Sequence, residues 1–135
     1  MKILFGLLLL SSFAFCEHIK WQNDYEKALM EAKKEKREIL LLILKKECAK
    51  CKTIFTDIFN SKEIEEKINE KYISVVVFFE DKNSYPIELF YTQQFPALFF
   101  VSKEDESFLE EPLFGEFTKE ELKKSLLYRK YLDTK

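Results

Sequence analysis

The chain has 135 residues, 22 basic against 24 acidic side chains, a net charge of −2 and only 2 glycines. Two glycines exclude phosphate-cradling loops of the P-loop and dinucleotide-binding kinds. The near balance of charge, with lysines and glutamates interspersed and no basic stripe carrying aromatics, argues against nucleic acid as a partner.

The first segment, "MKILFGLLLLSSFAFCE", carries Lys2 and then an acid-free apolar run from Ile3 to about Phe15. A membrane-spanning helix needs ~20 apolar residues, and this run is shorter. It has the length of the apolar region of a secretory signal. Ala14-Phe15-Cys16 places small residues at the last and third-last positions, so cleavage is expected before Glu17. The expected division is a signal peptide over residues 1–16 and one domain over 17–135, exported to the periplasm or secreted. Lipid anchoring through Cys16 calls for a small residue just before it, and Phe15 is bulky. That anchoring, or an uncleaved tether, is the less favoured alternative.

Trp21, Tyr25, Ala28, Leu29 and Ala32 recur at helical spacing behind Asn23 or Asp24 as N-cap, which predicts a helix over about 24–36. "EILLLIL", Glu38 to Leu44, is a continuous apolar run of strand length, as a strand covered on both faces requires. Cys51, Ile54, Phe55, Ile58 and Phe59 mark a helix that begins at the cysteines. Ser61 is a candidate cap for the next, which carries Ile64 and Ile68.

"YISVVVFFE", Tyr72 to Glu80, is β-branched and aromatic, hence a second buried strand. A short segment around Ile87–Tyr91 is a candidate helix. A third strand is expected at Ala97–Val101, then a hairpin turn at "SKEDES" and a fourth strand near Phe108–Phe114. After Gly115, Thr118 with Glu121 forms a capping box for a last helix containing Leu122, Leu126 and Leu127. The alternation predicts an α/β fold, a central mixed β-sheet flanked by helices.

The chemistry concentrates in "KKECAKCK". Cys48 and Cys51 fall between the end of a central strand and the first turn of a helix. Unpaired N–H groups and partial positive charge at a helix N-terminus stabilise a thiolate. Cys48, the outer residue, is therefore expected below the free thiol pKa of ~8.5, with Cys51 facing inward. An exposed thiolate backed by an inner resolving thiol suits disulfide exchange.

Other readings of the pair are open. A tetrahedral zinc site needs four ligands. Beyond the two cysteines the exported chain offers only His18, expected to be solvated near the N-terminus. A structural disulfide closing so short a loop stabilises weakly. A soft metal held by two thiolates, as in a metallochaperone, is the strongest rival. A non-enzymatic binding module that presents the pair is the other alternative.

These features together resemble the thioredoxin-like thiol–disulfide oxidoreductase superfamily over nearly all of residues 20–132. A helix and central strand precede "CAKC", "YISVVVFF" follows, "QFPALFF" is similar to the family's proline loop, and "FGEFTKEEL" to its closing turn and last helix. The resemblance implies a cis peptide before Pro96, with Phe95 and Pro96 in contact with substrate. It implies Cys48 as nucleophile and Cys51 as resolving thiol, no cofactor, and protein disulfides or dithiols as partners. A membrane electron donor is a further implied partner, and a monomer is expected.

Departures qualify the resemblance. Glu47 stands where many members have an aromatic residue, Ala49-Lys50 replaces the Gly-Pro of thioredoxins, and Leu42 occupies the place of their buried acid. The chain looks more like compact exported members and the thioredoxin-like domains of envelope disulfide-reducing systems. Lys45, Lys46, Lys50 and Lys52 crowd the motif and would favour the thiolate, an effect softened by solvent screening.

Overall fold

The computed structural model describes residues 18–133, with side chains up to Leu127; the expected signal segment 1–16, including Cys16, lies outside the described residues. Along the chain run α1 (Tyr25–Glu35), β1 (Glu38–Leu44), α2 (Ala49–Asp57), α3 (Lys62–Lys71), β2 (Tyr72–Phe78), β3 (Ala97–Val101), β4 (Leu113–Phe114) and α4 (Lys119–Asp133). The strands form one mixed sheet in the order β2-β1-β3-β4. β1 is parallel to β2 and antiparallel to β3.

β1 shows why its sequence does not alternate. Leu40, Leu42 and Leu44 join Ile54, Ile58, Ile64 and Leu122 in a core on one face of the sheet. Ile39, Leu41 and Ile43 pack with Tyr25, Ala28 and Ala32 of α1 on the other. Both faces are covered, so every position from Ile39 to Ile43 is apolar and fully buried. Each such side chain contributes roughly 1.5–3 kcal/mol. β3 follows the same division, with Leu98 and Phe100 on the first face and Ala97, Phe99 and Val101 on the second.

Local signals place the helices. Asp24 caps α1, its carboxylate accepting from the Lys27 N–H at 3.2 Å, and Lys36 closes the helix in the left-handed conformation. At α4 the capping box is complete. The Thr118 N–H donates to Glu121 at 2.9 Å, and the Glu121 N–H donates to the Thr118 hydroxyl at 3.1 Å.

Two expectations are corrected and two are refined. The segment around Ile87–Tyr91 is turn and irregular loop rather than helix. The fourth strand is only Leu113–Phe114, preceded by an isolated bridge between Val101 and Phe108. Pro112, which has no N–H to give a ladder, lies between the two. Ser61 is the N-cap of α3 but makes no side-chain capping bond. His18 is not merely solvated: its ring is 85% exposed, yet Nδ1 lies 2.8 Å from the buried Glu65 carboxylate. One pairing was not foreseen. Gln22 bridges Val75 in parallel, extending the sheet beside β2 through bonds from the Gln22 N–H to Ser74 and from the Val76 N–H to Gln22.

Tyr25 links α1 to the turn after β3. Its ring is fully buried and its hydroxyl donates to Glu106 Oε1 at 2.8 Å. Burial first, then this carboxylate, push the phenol's pKa far up. A phenol raised on folding supports stability below its unfolded pKa of ~10, and that support is lost as pH rises above it. Alkaline titration followed by urea unfolding should show stability falling above about pH 10, and Tyr25→Phe should flatten that fall. An unchanged slope in the variant would remove Tyr25 from the account.

Candidate active site

The site forms where β1 ends and α2 begins. Lys45 to Glu47 turn the chain between them, and Glu47 takes a positive φ of 54°. Few non-glycine residues adopt that conformation, and here it redirects the chain into the helix. Cys48 then sits in extended conformation as the N-cap of α2, its Sγ accepting from the Cys51 N–H at 3.1 Å. A sulfur thus occupies the place that Ser, Asp or Asn oxygen holds in ordinary caps.

Cys48 and Cys51 are joined as a disulfide with Cα atoms 5.3 Å apart. Their surroundings differ sharply. Cys51 is 3% exposed within the core that holds Leu40, Leu42, Leu44 and Ile54. Cys48 is half-buried at the rim of that core. An incoming sulfur reaches Cys48 first. Leu42 is fully buried in the same core as Cys51, so an apolar side chain fills the place of a thioredoxin's buried acid.

The proline loop lies on the β3 side. The peptide bond between Phe95 and Pro96 is cis. β1 and β3 pair Ile43 with Ala97, and continuing that register sets Pro96 opposite Leu44 and Phe95 opposite Lys45. Side chains agree with that placement, since Lys45 Nζ lies 5.7 Å from the centre of the Phe95 ring. Phe95 also packs on Phe79, ring centres 5.1 Å apart, and is only half-buried. Pro96 is buried, and its carbonyl accepts the Gly115 N–H at 2.8 Å. Thr92, which sequence reasoning did not single out, braces the loop by accepting from the Gln94 N–H and donating to the Gln94 carbonyl.

Of the four lysines around the motif, Lys45 rests on the Phe95 ring and Lys46 is ion-paired. Its Nζ is 3.7 Å from Asp81 and its backbone N–H donates to Glu80. Among the described residues, no group of three or more His, Cys, Asp or Glu side chains could hold a metal ion. A closed four-ligand site at the two sulfurs therefore finds no further donors among the described residues. What this arrangement can do is make and break a disulfide.

Comparison with known proteins agrees on the fold. The thioredoxin-like family's sequence profile matches residues 20–103, and the chain belongs to that family. No curated protein matches it by sequence. Its fold is similar to a thioredoxin from Thermus thermophilus, with a TM-score of 0.71 at 17% identity over 83% of this chain and 87% of that one. It is also similar to a DsbH oxidoreductase, with a TM-score of 0.67 at 20% identity over 82% of this chain and 86% of that one. The C-terminal domain of Neisseria meningitidis DsbD in its oxidised form gives 0.58 at 17%, over 81% of this chain and 90% of that one.

Gly115 tests how the loop is held. Its φ is +68°, and a Cβ built there meets no atom within 4 Å. The substitution Gly115→Ala should therefore cost about 1 kcal/mol through backbone conformation alone. Urea unfolding measures it, and an unchanged midpoint would contradict the conformational argument.

Proposed function

We propose that this protein is an extracytoplasmic thiol–disulfide oxidoreductase that reduces protein disulfides. One observation carries the reading: a half-buried Cys48 at the N-cap of α2, bonded to a buried Cys51 one helical turn on. In the reduced protein the Cys48 thiolate is favoured by the Cys51 N–H and the helix N-terminus.

The thiolate attacks one sulfur of the partner's disulfide. A mixed disulfide forms at Cys48, and the partner's other sulfur leaves as a thiolate that takes up a proton. Cys51 loses its proton, attacks Cys48 Sγ and expels the second partner thiol. Two electrons pass to the partner, and the protein is left with the Cys48–Cys51 disulfide. A dithiol donor must reduce that bond again, and an exported protein would meet one at the membrane. With Leu42 in place of an acid, water or Glu47 accepts the Cys51 proton. Phe95 and the backbone before Pro96 are the surface against which the partner chain is laid. The chain acts as a monomer, and export rests on the leader-like segment 1–16.

Cys48→Ser should abolish dithiol-dependent reduction of a protein disulfide by the purified protein. Cys51→Ser should instead accumulate mixed disulfides through Cys48. Turnover by the Cys48→Ser protein would sink the assignment.

Direction is read from the surroundings of the pair. Cations near Cys48 favour the thiolate and shift the couple towards oxidation, but these side chains are exposed and Lys46 is already paired with Asp81. The expected potential lies between that of thioredoxin at about −270 mV and DsbA at about −120 mV. Equilibration with glutathione measures it, and thiol trapping in cells should find the pair largely reduced. A fully oxidised pair with a potential near that of DsbA would reverse the direction while leaving the exchange chemistry intact.

A further inference from the structure

Beside the disulfide lies an open groove of about 740 Å³, floored by Leu44, Cys51, Phe55, Val76 and Phe78. Its size falls within the roughly 300–1,000 Å³ usual for ligand sites. Its position separates it from the proline loop. Val76 and Phe78 belong to β2, whereas Phe95 and Pro96 lead into β3, and β1 runs between those strands. Phe78, at the last position of β2, is 38% exposed although the floor around it is apolar.

The rim is cationic. Lys45, Lys46 and Lys52 line the groove against Glu47 alone. Lys46 is paired with Asp81 and Lys45 rests on the Phe95 ring, so Lys52 is the lining lysine without an ion-pair or ring partner among the described residues. An apolar floor under a rim of three lysines and one glutamate is complementary to a bulky apolar side chain with a carboxylate next to it.

We propose that this groove is a second substrate subsite, which selects partner polypeptides carrying a large apolar residue and an acid close to the disulfide cysteine. The inference rests on the exchange reaction proposed above. Reach supports it. Adjacent strands are about 4.8 Å apart, and an extended peptide advances about 3.3 Å per residue. With its cysteine over Cys48 and one flank towards Phe95, a partner chain brings a side chain one or two residues along its other flank over Phe78. Binding there would hold the partner's sulfur in line with Cys48, raising the exchange rate through positioning.

The test uses two disulfide-linked peptide dimers that differ only at the two positions flanking each cysteine on either side. One carries Phe and Asp there, the other Ala and Lys. Single-turnover reduction by the reduced protein is measured for both, and the ratio of second-order rate constants is read. Burial of one aromatic side chain predicts a ratio of at least about tenfold. In Phe78→Asp, at an exposed position, and in Val76→Phe, which fills the floor, the ratio should fall below about twofold. Because both peptides meet the same preparation, partial unfolding leaves the ratio unmoved. Equal rates with the unaltered protein overturn the subsite alone. A preference that survives in both variants places recognition elsewhere and also overturns it. Failure to reduce either peptide overturns the exchange reading, and the subsite with it.

Discussion

The Cys51 N–H aimed at Cys48 Sγ is the contact on which the rest of the site depends. It exists because the chain leaves β1, turns through a left-handed Glu47 and enters α2 with a cysteine in the capping position. An alcohol or carboxylate at that position would satisfy the helix end equally well. A sulfur satisfies it too, and in the exchange proposed above the same donor raises the thiolate fraction at neutral pH. On that proposal, structural capping and chemical activation are one interaction.

The asymmetry of the pair follows from the layering of the fold. β1 is covered on both faces, so whatever follows directly from its end emerges between two hydrophobic cores. Cys48 is the extended N-cap, outside the helix proper, whereas Cys51 lies in the first turn on the face that meets the core. Cys51 is carried under the edge of the sheet with Leu42 and Ile54, and Cys48 stays at the rim. The rigidity needed to keep two sulfurs in register comes from that core. Trp21 lies tilted against Phe55 and meets Phe59 edge-on, and Phe59 meets Phe117, so α2 is also pinned from outside the sheet.

Much of this was legible in the residues, for physical reasons that can be named. An unbroken run of six apolar residues such as "ILLLIL" fits few environments besides a strand covered on both faces. The capping box at Thr118 and Glu121 is a local contact that needs no tertiary information. The short cysteine spacing, likewise local, put the two sulfurs within bonding reach. What escaped was set at long range or by backbone detail. Gln22 pairs with Val75 across more than fifty positions, and nothing in "KWQN" announces a strand. The stretch Phe108–Phe114 is apolar enough for a strand, but Pro112 and the acids Glu110 and Glu111 confine the ladder to two residues. The positive φ of Glu47 and the groove beside Phe78 arise only when β1, α2 and β2 come together.

The claim at the centre is that the end of α2 activates Cys48 and buries Cys51. The pH dependence of alkylation of the reduced protein, with each modified cysteine located by mass, tests it directly. Cys48 should react first, with an apparent pKa below the free thiol value of ~8.5, while Cys51 stays protected until the protein unfolds. A Cys48 that titrates at or above that value, or a Cys51 alkylated as fast as Cys48, would contradict the account.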